Sequence, residues 1–340
     1  MLIYSALRLV GAVTLFLLGL KIVADDMGLL MTDRLKNALY KATANPLSAV
    51  GIGAGVTAVA QSGVAINFVL VSLVDGGAVS LLGALAVVIG TNVGTTMTAQ
   101  ITSLSLGLFD VSALGGALAF SGFMYSALVK NKTKHLGGVV MGFGVVFIAI
   151  DLLSVGTGAF YEYEWFRSFF LIDNPFVLIL NGLFITAVCQ SSSVVSSMLV
   201  ILSSGGLMTF ENAVFLILGA NVGTTVSVMV FSFGKSVAAR RTAVFNVLFN
   251  VTGAALFFIT SLLTGGAVFD VFTRCSATAG RAVANFHTFF NLAFGVAVLP
   301  LIKPLSRLLA VIVRDQADTP YAKTREKRDR NAKKRSFFAR

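Results

Sequence analysis

TAVCQSSSVVSS, residues 186–197, sets a glutamine and five serines inside a strongly apolar chain. Of its 340 residues, 56% are hydrophobic and only 12% charged, at a mean hydropathy of +0.87. That apolar share exceeds what a water-facing globule of this size buries, so the chain reads as a membrane protein. Apolar runs of roughly 20 residues, enough to cross about 30 Å of hydrocarbon as helices, occur several times. The ten-residue alternation of a membrane β-barrel does not. The expected fold class is all-α and polytopic.

The polar run has a twin. A shift of 129 residues lays Thr57, Ala58, Val59, Gln61 and Ser62 on Thr186, Ala187, Val188, Gln190 and Ser191. The same shift lays Gly76-Gly77 on Gly205-Gly206, and Gly90, Asn92, Val93, Gly94, Thr95 and Thr96 on Gly219, Asn221, Val222, Gly223, Thr224 and Thr225. Between 53–98 and 182–227, 18 of 46 positions are identical without a gap. Internal duplication of this kind builds many transporters from two halves.

In both copies the apolar blocks around the polar run are short. Residues 46–60 and 64–74 would make helices of about 22 and 16 Å, neither long enough to cross. This predicts re-entrant helical hairpins over 46–75 and 174–204. Their tips are Gln61-Ser62-Gly63 and Gln190-Ser191-Ser192-Ser193, and the glycine pairs end the returning arms. The next blocks, 79–99 and 208–230, are long enough to cross, and NVGTT predicts a break within each. Spans at 2–23 and 111–129 complete a first repeat over 1–129. Spans at 136–156 and 242–263 complete a second over 130–264. Three crossings per half is an odd number, so the second repeat is inverted relative to the first. A final span within 265–313 and a basic tail at 314–340 follow.

The charges fit this arrangement through the positive-inside rule. Lys21, Arg34, Lys36 and Lys41 follow the first span, Lys130, Lys132 and Lys134 the third, and Lys235, Arg240 and Arg241 the fifth. The tail holds ten Lys/Arg against four Asp/Glu, which is +6 of the +11 net charge. All of these fall on one side, and Arg274 and Arg281 dissent. The expectation is a multi-pass protein of the cell (inner or plasma) membrane, with its N-terminus outside and its C-terminus cytoplasmic. The tail then meets anionic lipid rather than nucleic acid. Residues 38–45 and the charged stretch before them read as an amphipathic helix along the inner surface. The apolar run at 2–23 lacks a basic leader and a small-residue cleavage site, and reads as a retained span.

Backbone that leaves helical geometry at membrane depth is tolerated where it lines a wet cavity. Two hairpin tips and two NVGTT breaks would meet near the midplane. Free N–H groups at the start of each returning arm, with serine hydroxyls beside them, suit a small tetrahedral oxyanion. Hydroxyl, amide and backbone oxygens suit a hard monovalent cation. Between residues 46 and 129 the charged residues are Asp75 and Asp110, and between 174 and 234 there is Glu211 alone. A bound anion must therefore take its compensating charge from co-bound cations.

TAVCQSSS followed by GANVGTT, with TAVAQSGV and GTNVGTT as their counterparts in the first half, resembles the type II sodium/phosphate cotransporter family with its bacterial members, across roughly residues 12–300. The resemblance implies uptake of inorganic phosphate coupled to Na⁺ by alternating access, with paired QSSS regions binding both. On that basis phosphate falls to Ser62, Asn92, Gln190, Ser191, Ser192, Ser193 and Asn221. Sodium falls to Gln61, Ser62, Thr95, Thr96, Gln190, Ser193, Thr224 and Thr225. The first half departs from the pattern: Gly63 and Val64 stand where two hydroxyls belong, with Asn67 one turn on as a substitute. Many bacterial relatives carry a soluble regulatory domain after the membrane part, where this sequence has the basic tail.

The physics alone leaves other oxyanions and H⁺ coupling open. A competing class is an intramembrane serine hydrolase, with Ser62 or Ser192 as nucleophile and His287 as base. Duplicated serines without duplicated histidines argue against it. A third is a scaffold whose serines merely pack helices. No organic cofactor is called for, and His135 and His287 lack the spacing of a transition-metal site. Cys189 and Cys275 are too few for a disulfide framework.

Overall fold

The computed structural model describes residues 2–42, 45–108, 111–161, 163–164, 168 and 172–314. In the first half run α1 (Leu2–Ala42), α2 (Pro46–Ala60), α3 (Gly63–Asp75), α4 (Leu81–Thr95), α5 (Met97–Leu108), α6 (Val111–Leu128) and α7 (Lys134–Tyr161). Then follow α8 (Pro175–Cys189), α9 (Ser192–Ser204), α10 (Phe210–Phe231), α11 (Val237–Leu263), α12 (Ala267–Arg274), α13 (Ala279–Val298) and α14 (Ile302–Ile312). Among the described residues there is no strand, and six helical stretches are long and apolar enough to cross a membrane. Large apolar side chains such as Leu7, Phe120, Leu128, Phe184 and Leu263 stand exposed on their surfaces. In lipid such a surface is solvated rather than sticky. The protein is an all-α polytopic membrane protein.

Matched caps shape the two short-helix pairs. Asn45 and Asn174 each precede a proline at the first helical position, and their side chains accept from Leu47 N and from Phe176 N and Val177 N. The proline gives up an N–H that would be unpaired there in any case. At the far ends Gly77 and Gly206 take φ of 74° and 70°, which a side chain would resist. Ser80 and Thr209 then cap α4 and α10 through Gly83 N and Asn212 N.

Each short first arm lies against the long helix of its own half, α2 on α4 and α8 on α10. Glycine permits the approach. A Cβ on Gly90 would run into Val50 O, and one on Gly219 into Ile179 O; Gly94 and Gly223 meet Ala54 O and Leu183 O in the same way. Close backbone contact of this kind is a principal attraction between helices in lipid. The helix α7 packs on α1 and α6 through further close glycine contacts, and α1 and α7 also meet α9 at Val194 and Ile201. One core cluster gathers phenylalanines of α10, α12 and α13, among them Phe210, Phe269 and Phe286, a second centres on α3, α4 and α11, and a third on α1 and α7.

Several expectations are corrected. The helix α10 is unbroken from Phe210 to Phe231, so the second NVGTT makes no interruption. Thr224 and Thr225 donate to Asn221 O and Val222 O at 2.7 Å each, bonds a helix accommodates. In the first half the helix is interrupted by one turn residue, Thr96, between α4 and α5. The first span does not stop at residue 23. With no proline in its way, α1 runs 41 residues to Ala42, about 62 Å, so residues 38–42 continue it rather than start a surface helix. The expected span 111–129 falls on α6, an apolar helix of 18 residues, about 27 Å long. The final segment is three helices, with Pro300 in a 3-10 turn at Leu299–Leu301 between α13 and α14. Asp110 and the tail beyond residue 314 lie outside the described residues.

Candidate functional site

Both glutamines of the duplicated motif adopt the left-handed conformation, Gln61 at φ 53° and Gln190 at φ 54°. They are the two non-glycine residues with positive φ among the described residues. That geometry costs about 1–2 kcal/mol for an L-residue. It ends the first arm, and the glutamine N–H returns to Thr57 O at 2.8 Å and to Thr186 O at 2.7 Å. The following serine is extended and caps the next helix. Ser62 Oγ accepts from Ala65 N and Ser191 Oγ from Val194 N. The remaining N–H groups of the first turns of α3 and α9 are left to point past the helix ends.

Those two helix starts meet. One small cavity is lined by Gly63, Val64, Asn67, Thr91, Asn92 and Thr95 of the first half and by Ser192, Asn221, Thr224 and Asn246 of the second. None of the ten carries a formal charge. Its volume is about 10 Å³, the room of a single water, so a tetrahedral oxyanion enters only if the surrounding helices part. Two helix N-termini supply positive potential to this space. Thr95 and Thr224 donate to backbone carbonyls three residues back, Asn92 O and Asn221 O, at 2.7 Å. Their hydrogens are thereby occupied, and their lone pairs remain as cation ligands.

Of the sequence-predicted residues, Asn92, Thr95, Ser192, Asn221 and Thr224 line the cavity. Gln61, Ser62, Thr96, Gln190, Ser191, Ser193 and Thr225 do not. Gln61 and Ser193 belong to a buried circuit that ties the halves together. Thr98 Oγ1 lies 2.6 Å from Gln61 Oε1 and 3.1 Å from Ser193 Oγ, which in turn reaches Gln61 O at 3.3 Å. Gln190 is exposed. Thr96 and Thr225 bond back to Val93 O and Val222 O. A Cβ on Gly63 would stand 2.5 Å from Thr95 Cγ2, so the threonine methyl occupies the place of the missing serine side chain. Asn67 reaches the cavity, but its Nδ2 is spent on Gly63 O at 2.9 Å and Thr91 Oγ1 at 3.3 Å.

Sequence reasoning missed Thr91, Thr98 and Asn246, and assigned His287 only to a hydrolase. Asn246 accepts from Asn92 Nδ2 at 3.2 Å, and His287 Nε2 lies 3.1 Å from Asn221 Oδ1. A signal was present. Asn246 and Asn250, like His287 and Asn291, are polar pairs four residues apart in otherwise apolar helices, which puts both members on one face. The hydrogen-bond partner of His287 Nε2 is Asn221 rather than a serine, and Ser62 Oγ is engaged as a cap.

The sequence pattern of the Na⁺/Pi-cotransporter family matches residues 15–155 and 167–297, one stretch in each half. The putative inorganic phosphate export protein YjbB of Escherichia coli K12 is 28% identical over 318 residues. That alignment covers 92% of this chain but only 57% of the relative's length. The uncharacterized protein YqeW of Bacillus subtilis is 27% identical over 307 residues, covering 88% of this chain and 95% of its own. The human sodium-dependent phosphate transport protein 2B is 30% identical over 93 residues, 26% of this chain and 14% of that protein. No solved structure matches.

Proposed function

The chain belongs to the Na⁺/Pi-cotransporter family, a family of transporters and not of enzymes, and from that premise we propose that it couples Na⁺ to the movement of inorganic phosphate by alternating access. The observation that carries this reading is the convergence of both duplicated motifs on one uncharged cavity with two helix N-termini at its wall. In the reading, phosphate takes donors from Ser192, Asn221 and the free N–H groups of α3 and α9, in the manner of a helix N-terminus holding an anion. Na⁺ takes oxygens from Thr95, Thr224 and their neighbours and neutralises the anion that no lysine or arginine contacts. Ser62 and Ser191 act through the caps that present those N–H groups. Gln61, Gln190 and Ser193 fix the tips, and Thr96 and Thr225 close the two NVGTT segments, one at a turn and one within helix.

The two short-helix pairs are then re-entrant hairpins of inverted repeats, with the N-terminus outside and the basic tail on the cytoplasmic face against anionic lipid. The arrangement of Lys and Arg along the chain supports that orientation. Under an inward Na⁺ gradient such a symporter takes phosphate up. A second reading, export, is favoured by the name given to the relatives that cover most of this chain. The same machinery runs outward when the phosphate gradient outweighs the cation gradient, each tenfold contributing about 1.4 kcal/mol.

The test is flux of radiolabelled phosphate in proteoliposomes carrying oriented protein, with Na⁺ gradients imposed in each direction and K⁺ as the replacement ion. The proposal expects net flux to follow the Na⁺ gradient and to change sign with it. Flux that is equal in K⁺ would remove the coupling, and no flux at all would remove phosphate as substrate.

A further inference from the structure

Asn92 and Asn221 are equivalent in the repeat, and both line the cavity, yet they meet different partners. Asn92 Nδ2 donates to Val88 O at 2.8 Å and to Asn246 Oδ1 at 3.2 Å. Both its hydrogens are used, and what it has left to offer is Oδ1. At Asn221 the roles are exchanged. Its Oδ1 lies 3.1 Å from His287 Nε2, and its Nδ2 is buried without a partner. Asn221 is 5% exposed and His287 1%. An unpaired amide N–H buried beside a cavity wall costs about 1–3 kcal/mol unless a ligand meets it.

The histidine decides which end of the amide Asn221 presents. His287 Nδ1 is also buried without a partner. With its hydrogen on Nε2, His287 donates to Asn221 Oδ1 and leaves only an empty acceptor at Nδ1. With the hydrogen on Nδ1, a buried N–H donor is stranded and the Asn221 amide must turn over to supply one to Nε2. The Nε2–H form is the one that fits the amide as it stands, with Asn221 Oδ1 toward Nε2, and the donor it leaves unmet, Asn221 Nδ2, belongs to a residue of the cavity wall. Asn291 Nδ2 donates to His287 O at 2.9 Å and braces the turn of α13 that carries the ring.

We infer that His287 is a positioning residue: its Nε2–H holds the Asn221 oxygen and so presents Asn221 Nδ2 to the cavity as an oxyanion donor, whereas Asn246 occupies the Asn92 amide hydrogens and leaves Asn92 Oδ1 for the coupling cation. One duplicated asparagine thereby becomes an anion contact and its twin a cation contact. This rests on the phosphate reading above, and it moves Asn92 from the phosphate set to the cation set.

The experiment measures the phosphate KM at saturating Na⁺ and the Na⁺ half-saturation at saturating phosphate, on the full chain in proteoliposomes. His287→Leu is expected to raise the phosphate KM about tenfold while Na⁺ half-saturation holds, the size of one hydrogen bond to a charged ligand. His287→Gln, which carries an amide N–H at similar reach, should recover most of that loss. Asn246→Leu should do the converse and raise the Na⁺ half-saturation. An unchanged phosphate KM in His287→Leu, or equal movement of both constants in both variants, overturns the assignment. Should His287→Leu not yield monodisperse protein, Asn221→Asp decides. It keeps an acceptor for His287 and replaces the donor by a carboxylate oxygen, so it must abolish phosphate flux, and retained flux refutes the inference. Wild-type protein without phosphate flux would sink the site's reading itself, whereas wild-type flux with an unmoved His287→Leu sinks only the positioning role.

Discussion

The two halves carry the same motifs on the same backbone, yet do not surround them alike. Gln61 and Gln190 share a left-handed turn, but Gln61 is 4% exposed beneath α5 while Gln190 is exposed. NVGTT is followed by a turn at Thr96 in one half and by unbroken helix in the other. The cause lies downstream of the motif. Residues 98–105 bring Thr98, Gln100, Thr102 and Ser103 into hydrogen bonds with Gln61, Ser193, Ser197 and residues of α13, among them Ala284 O, Thr288 and Arg281. Those bonds draw α5 onto α9 and α13. The corresponding stretch, residues 227–234, has only Ser227 and Ser232 as polar side chains, and Ser232 bonds back to Met229 O at the end of α10. A repeated motif thus sets local turns, and the residues after it set where the chain goes.

The comparison breaks most severely at its shared foundation. Gly90→Leu and Gly219→Leu each push a side chain into a backbone carbonyl of the neighbouring arm. Each should cost at least about 3 kcal/mol and leave little folded protein, seen as loss of the monodisperse peak in detergent. Tolerance in one half alone would show that the arms are not packed equivalently.

At the tips the halves should separate. Ser192→Ala removes a hydroxyl from the cavity wall and should weaken phosphate affinity about tenfold. Gly63→Ser should not strengthen binding, because the Thr95 methyl stands 2.5 Å from the new Cβ. Only with Thr95→Ser beside it does the first half have room to resemble the second. Isothermal titration of the three variants with phosphate checks the order.

A smaller contrast concerns the circuit between halves. Thr98→Val loses the contacts to Gln61 and Ser193 and should lower stability by about 1–2 kcal/mol. Ser227→Ala, at the equivalent position, should stay within about 0.5 kcal/mol. Thermal unfolding of the two variants compares them directly. The smallest effect is at the glutamines. Gln190→Gly relieves the left-handed strain and should gain up to about 1 kcal/mol. Gln61→Gly relieves the same strain but forfeits the bond from Thr98, and should gain nothing.

Much of the fold was legible because it is written in short-range chemistry. Pro46 and Pro175 after asparagine, the QS tips and the paired glycines mark helix ends wherever they occur, and all of them stand where the sequence places them. The expected break in α10 failed because threonine hydroxyls bond back within a helix as readily as they line a break. Pro300 marked a break that the long apolar run concealed. Of the candidates that repetition pointed to, Asn92, Thr95, Ser192, Asn221 and Thr224 line one cavity. Repetition was blind to Asn246 and His287, which have no twin and act through side-chain partners 154 and 66 residues away.

The central claim is that both halves build one site in which cation and anion compensate each other. Binding of phosphate to purified protein, titrated across Na⁺ concentration at fixed ionic strength, addresses it directly. The account requires the phosphate Kd to fall as Na⁺ rises, with Na⁺ affinity rising by the same factor when phosphate is present. A phosphate Kd that stays constant across the Na⁺ series, or that responds equally to K⁺, would contradict it.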